Sequence, residues 1–206
     1  LHLRVQLNPG QSLIIRSAAD KQNGATFRYR DTQGSTLVHP GPWDLKFLAG
    51  GPQLPSTKQL NALVSWTEMG DSSAAYFSGT ALYKTTVKLP KSALQNDWLL
   101  DLGELHATAE VLWNGKAIAT LIAQPYQCRI PASMVKELNQ LELIVANQMA
   151  NRIIYMDRQD KPWKIFYNIN FSAKERANLQ QGVFSAKHWK PIAAGLKGPV
   201  SLTPLK

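Results

Sequence analysis

Fourteen carboxylates, four histidines and one cysteine are the side chains through which this 206-residue chain could do acid–base, metal or nucleophilic chemistry. The histidines, at positions 2, 39, 106 and 188, show no metal-ligand spacing among themselves. "DLGELHA" gathers Asp101, Glu104 and His106, a candidate ligand cluster. A polar turn between strands accounts for the same residues and is the reading adopted. Cleaving a glycosidic bond would require two carboxylates straddling that bond. Glu110 and Glu142 fall on the polar face of predicted strands, and Asp71, Asp97, Asp157 and Asp160 fall in expected loops. No pair is singled out. Nucleophile-elbow, zinc-protease, phosphate-loop and dinucleotide patterns are absent. The sequence therefore assigns no catalytic residue, no metal site and no cofactor. Cys128 alternates with Tyr126 and Ile130 in "YQCRI", which predicts a buried structural thiol. A lone cysteine forms no intrachain disulfide. "NFS" at Asn170 matches a glycosylation acceptor, a short motif that carries little by itself.

The formal net charge is +9. Such a balance suits nucleic acid, an anionic membrane surface or an acidic substrate. The basic residues are dispersed, however, and no nucleic-acid motif accompanies them. The surface is read as solvated and basic, with neither nucleic acid nor membrane as partner. At 44% hydrophobic residues a packed core is expected. No apolar run approaches the ~20 residues of a spanning helix, and no secretory signal pattern stands at the start. The chain opens at Leu1 directly into the alternating "LHLRVQL", which is expected of a piece of a longer protein.

Period-two alternation positions the rest. Leu1, Leu3, Val5 and Leu7 share one face, "NPGQ" turns, and "SLIIR" follows. "TFRYR" is a candidate short strand. "PGPWDLKF" alternates Trp43, Leu45 and Phe47, "GGPQLPSTKQ" reads as a loop, and "LNALVSW" aligns Leu60, Ala62, Val64 and Trp66. "YFSGTALYKTTVKLP" carries Phe77, Gly79, Ala81, Tyr83, Val87 and Leu89 on one face, with Ser78, Thr80, Lys84, Thr86 and Lys88 opposite. That is a half-buried antiparallel strand. "WLLDLG", "YQCRI", "LELIVANQ" and "GPVSLTPL" add strands, and "PASMVKEL" predicts one helical turn after Pro131. "EVLWNGKAIATLI" is a hairpin: Asn114 and Gly115 supply the positive φ of a type I′ turn. In that register Trp113 opposes Lys116, Leu112 opposes Ala117 and Val111 opposes Ile118. Between 151 and 195 alternation fades into a long, aromatic, weakly periodic passage, as in a functional excursion. Roughly nine strands with few helices predict an all-β fold, a β-sandwich or jelly roll.

In order, "SWTEMGD", "YFSGTALYKTTVKLP", "DLGELHATAEVLWNGK", "ANQMANRI" and "GLKGPVSL" resemble the galactose-binding-like β-sandwich of glycoside hydrolases, the sugar-binding type of family 2 enzymes. The nearest resemblance is to the C-terminal region of bacterial α-L-rhamnosidases of glycoside hydrolase family 106. It covers residues 41–206 and implies an antiparallel jelly-roll sandwich there. Residues 1–40 are then leading strands or the tail of a preceding domain. The resemblance implies a non-catalytic accessory module that braces a catalytic domain and contacts carbohydrate, in a periplasmic or extracellular bacterial setting. The alternative is a complete small glycan-active enzyme with an unrecognised carboxylate pair.

In such domains the hairpin displays the following loop, here "AQPYQ". The family's pattern has a Trp and a second Pro in this loop and a Trp at the position of Met149. This sequence has neither, which removes sugar-stacking aromatics. The residues expected to touch carbohydrate are Tyr126, Asn151, Arg152, Trp163 and Trp189, with His188 beside them. Rings stack on the C–H faces of sugars, while Arg and Asn offer fixed donors to hydroxyls and carboxylates. Packing of the long loop onto the sandwich is the competing role for Trp163 and Trp189. With a charge of +9, an acidic polysaccharide is the favoured glycan partner.

Overall fold

A computed structural model describes residues 2–7, 10–20, 23–24, 27–164, 178–180 and 182–206. Among them, β1 (Leu37–Val38), β2 (Trp43–Gly51) and β3 (Lys58–Leu60) come first, then α1 (Ser72–Ala75) and β4 (Ser78–Lys88). β5 (Trp98–Asp101), β6 (Glu104–His106), β7 (Thr108–Trp113), β8 (Lys116–Leu121), β9 (Gln127–Ile130) and β10 (Leu138–Ala146) follow. α2 (Ala150–Arg158) leads to β11 (Leu179–Gln180), β12 (Val183–Phe184), β13 (Gly195–Gly198) and β14 (Ser201–Pro204).

Two sheets face each other. One has the order β3-β2-β4-β10-β7-β8 and the other β1-β14-β5-β9. All the recorded pairings are antiparallel. The chain thus folds as an antiparallel jelly-roll β-sandwich. Period-two burial builds the core. Trp43, Leu45 and Phe47 of β2, Ala81, Tyr83 and Val87 of β4, and Leu141, Leu143 and Val145 of β10 point inward from the larger sheet. Trp98, Leu100, Cys128, Ile130 and Leu202 meet them from the smaller one. Cys128 is buried as expected, and burial pushes its thiol up to about 12.

The hairpin forms with Asn114 at φ 52° and Gly115 at φ 76°, as a type I′ turn demands. Trp113 opposes Lys116 and Leu112 opposes Ala117. Val111, however, opposes Ala119 rather than Ile118, because a register shift between Val111 and Leu112 gives β8 one extra residue.

Other expectations need correction. Among the described residues no strand precedes Leu37, so residues 2–7, 12–16 and 27–30, of "LHLRVQL", "SLIIR" and "TFRYR", are not laddered. Leu3, Val5, Leu7 and Ile15 are exposed, and Ile14 is 89% exposed, so the alternation there has no sheet to pack against. "LNALVSW" is not one strand: β3 stops at Leu60 and a 3-10 turn spans Trp66–Glu68. "SWTE" is a capping box, in which the Ser65 hydroxyl accepts from the backbone of Thr67 while Glu68 reaches back to the Ser65 N–H. "ELH" is itself the short strand β6, paired to β13, rather than a turn. The weakly periodic passage begins with α2, which carries Asp157 on a helix rather than in a loop. Asn170 lies outside the described residues.

Candidate functional site

The termini of β6, β9 and β10 converge on a cavity of about 250 Å³. Its walls include His106, Gln124, Tyr126, Gln148, Asn151 and Ile192. The "AQPYQ" loop delivers Gln124 and Tyr126. Asn151 stands in the first turn of α2 and is fully buried. Its amide donates to the Ile192 carbonyl at 2.8 Å and accepts from the Ile192 N–H at 2.9 Å. Asn147 is similarly engaged, accepting from the Gly79 N–H and donating to the Phe77 carbonyl, each at 2.9 Å. Asn151 therefore clasps the Ile192 backbone of the cavity wall, and Asn147 ties that wall to the start of β4. Tyr126 is buried in the wall of this cavity.

His106 Nε2 lies 2.9 Å from a Glu104 carboxylate oxygen, and Lys197 Nζ lies 3.4 Å from the same atom. The hydrogen bond from His106, followed by that from Lys197, holds the exposed Glu104 carboxyl below its ordinary value. None of the described residues lining this cavity is a carboxylate. Its chemistry is that of neutral amides, a phenol and an imidazole, which suits sugar hydroxyls. His106, Gln124 and Gln148 were not anticipated. They lie at or just beyond strand ends, and only the sheet order brings those ends together.

The other expected residues go elsewhere. Arg152 lies over Gly51, where a Cβ would come within 2.9 Å of its guanidinium carbon. Trp163 Nε1 donates to Asp157 at 2.6 Å, and the Ala186 N–H donates to the other oxygen at 2.6 Å. Lys164 lies 3.4 Å away. Burial pushes the Asp157 carboxyl up, but these hydrogen bonds and Lys164 outweigh it and leave it lowered. Phe184 meets Trp163 at 6.2 Å and Trp189 at 5.5 Å, both edge-on. Trp189 Nε1 donates to Asn178 at 3.0 Å. Trp163 also borders a cleft of about 480 Å³ with Lys161, Lys164 and Lys187. His188 is exposed. The structure thus joins Tyr126 with Asn151 and gathers Trp163 and Trp189 around Phe184, as two separate groups.

Among the described residues no set of histidine, cysteine and carboxylate side chains could hold a metal ion. No described helix is long and apolar enough to cross a membrane. The polar acids lie apart and engaged: Asp71 with Lys58 at 2.9 Å, Asp97 with Arg129 at 2.7 Å, Glu142 with Lys84 at 3.3 Å.

No protein-family model matches the chain. A Formosa agariphila protein whose name marks it as a candidate β-glucuronidase is 29% identical over 182 residues, covering 82% of this chain. The chain spans only 16% of the length of that relative. The solved rhamnosidase of Novosphingobium sp. PP1Y is 26% identical with a TM-score of 0.64, over 91% of this chain and 16% of that one. A Ruminococcus gnavus β-glucuronidase shares the fold at 17% identity and a TM-score of 0.54, over 86% of this chain and 30% of that one. The chain therefore has a glycoside-hydrolase-related β-fold and corresponds to a part of much longer enzymes.

Proposed function

Since its relatives are long glycoside hydrolases of which it matches a small part, we propose that the chain is a non-catalytic accessory module of a bacterial, α-L-rhamnosidase-like glycoside hydrolase. The observation that carries this reading is the coverage: 91% of this chain aligns with 16% of a rhamnosidase. The module braces the catalytic domain and offers carbohydrate the cavity around Tyr126, with His106, Gln124 and Gln148 as hydroxyl partners. Residues 41–206 form the module proper together with β1, which pairs with β14, and the residues before β1 link it to a preceding domain. The exposed Leu3, Val5 and Ile14 support that linking role, since apolar side chains of an extended segment need a partner surface. A periplasmic or extracellular setting accompanies the proposal.

The test is twofold. The isolated chain hydrolyses neither aryl rhamnosides nor aryl glucuronides, and deleting residues 41–206 from the full-length polypeptide lowers the melting temperature of its catalytic domain. Turnover by the purified chain that disappears on Glu104→Gln would establish the enzyme alternative instead.

A further inference from the structure

A second groove, of about 260 Å³, opens beside the C-terminal end of α2. Tyr76, Tyr155, Arg158, Gln53, Ser72 and Gln159 contribute to its walls. Its cation, Arg158, is held in place by neutral groups alone. Arg4, Arg129, Lys58 and Lys187 are each matched to a carboxylate. Arg158 forms no ion pair among the described residues, and its partners are all neutral. Its Nε donates to the Lys187 carbonyl at 2.9 Å, one Nη to the Trp189 carbonyl, and the other Nη to the Tyr76 hydroxyl. The guanidinium carbon lies 5.7 Å from the centre of the Tyr76 ring.

Three bonds fix the plane of a side chain that is otherwise costly to order. A guanidinium has five N–H groups, so one on each Nη remains. An end-on bidentate carboxylate takes one N–H from each Nη. No described carboxylate lines the groove to compete for them. Lys161 Nζ, 5.0 Å from the centre of the Tyr155 ring, adds a second positive charge nearby. Hydroxyl and amide side chains make up the remaining polar walls. The volume falls just below the range of about 300–1,000 Å³ of drug-sized ligand sites, which fits one sugar unit.

We infer that this groove binds the carboxylate of a uronic acid residue, with Arg158 as the bidentate partner and Ser72, Gln53 and Gln159 contacting the ring hydroxyls. The inference rests on the reading of the chain as a glycan-associated module, but its site is separate from the cavity around Tyr126.

The experiment is an amide-resolved NMR titration of the intact chain with methyl glucuronide, its C6 methyl ester and methyl glucoside 6-sulfate. Methyl glucuronide shifts the amides of Gln53, Ser72, Tyr76, Tyr155 and Gln159, and binds more weakly as salt rises. The ester, which keeps the ring but loses the charge, binds about tenfold more weakly or worse. Arg158→Lys keeps the charge but not the fork, and loses a similar factor. Equal binding of ester and acid overturns the inference. So does equal binding of the sulfate, which would mean that charge rather than a planar carboxylate is read. Shifts confined to Gln124, Tyr126 and Gln148 also overturn it, while leaving the accessory-module reading intact. Should Arg158→Lys not fold, the ester comparison on the unaltered chain decides.

Discussion

Tyr83→Phe removes one oxygen from the centre of the sandwich and should cost far more than a surface change. Trp66, Tyr83 and Leu196 are each 0% exposed. Trp66 Nε1 donates to the Tyr83 hydroxyl at 2.6 Å, and the Leu196 N–H donates to it at 3.2 Å. The phenol thus ties the 3-10 turn at Trp66–Glu68 and strand β13 to the middle of β4. Burial pushes its hydroxyl up to about 12, so it stays protonated throughout the working range of pH. Phenylalanine fills nearly the same space but leaves two buried donors without an acceptor. Each orphaned donor costs about 1–3 kcal/mol, partly offset by no longer burying the hydroxyl. A net loss of about 2–4 kcal/mol lowers the melting temperature by roughly 5–15 °C in a domain of this size. Calorimetry on the two proteins measures it directly. The double variant Trp66→Phe/Tyr83→Phe should lose less than the sum of the single changes, because one orphan vanishes with the indole. A Tyr83→Phe midpoint within about 2 °C of the parent would refute the reasoning, since water or rearrangement would then be satisfying both donors.

Gly115→Val should destabilise by about 1–3 kcal/mol, while Gly115→Asn, which tolerates positive φ, retains most of the stability. A Cβ at Gly115 meets nothing within 4 Å, so thermal melts of the two variants isolate backbone strain from packing. Asp71 caps α1 by accepting from Ser73 and pairs with Lys58 at 2.9 Å. The Ser73 hydroxyl, then Lys58, hold its carboxyl at about 2. A folded value below the unfolded one of about 3.9 gives stability that is fully present above pH ~4 and lost as pH falls through about 2. Asp71→Ala should remove that part of the acid-unfolding curve and about 1 kcal/mol at neutral pH. Cys128, with its buried thiol near 12, should resist iodoacetamide at pH 8 until denaturant unfolds the sandwich, as intact-mass spectrometry would report.

The strands of the two main sheets were legible because half-buried antiparallel strands write their burial into every second residue, as Trp43, Leu45 and Phe47 do against Asp44, Lys46 and Leu48. The hairpin was legible because Asn114-Gly115 has few other conformational uses. The helix α2 was not, because its buried face is Asn151, Ile154 and Asp157. Those positions recur at helical spacing, but two of the three are polar, so hydrophobic periodicity never registers. The opening alternation misled in the opposite way: Leu3, Val5 and Leu7 have the pattern of a strand without a sheet to receive it. Tyr126 and Asn151 were found in one place because they flank strand ends at the same end of the sandwich. His106 joins them only through the pairing of β6 with β13, a contact between residues about ninety positions apart that no local signal announces. Trp163 and Trp189 were legible as aromatic but not in purpose. Both indole N–H groups are consumed by Asp157 and Asn178, and Phe184 lies between the rings.

The pairing of β1 with β14 governs how the sandwich bears load. Leu37 lies opposite Leu202, Val38 opposite Ser201, and Thr32 bridges to Leu205. The Lys206 N–H donates to the Asp31 carbonyl at 2.8 Å. The polypeptide therefore enters and leaves the sandwich side by side, at one end of a single antiparallel ladder. Tension applied through residues 31 and 206 peels that ladder open one hydrogen bond at a time, instead of shearing several at once. β1 is lost at low force, and the β2-β4-β10-β7 sheet carries almost none of it until β14 has also come away from β5. A sandwich joined in this way yields first at β1 and β14 and keeps its core, so that re-zipping two short strands restores it.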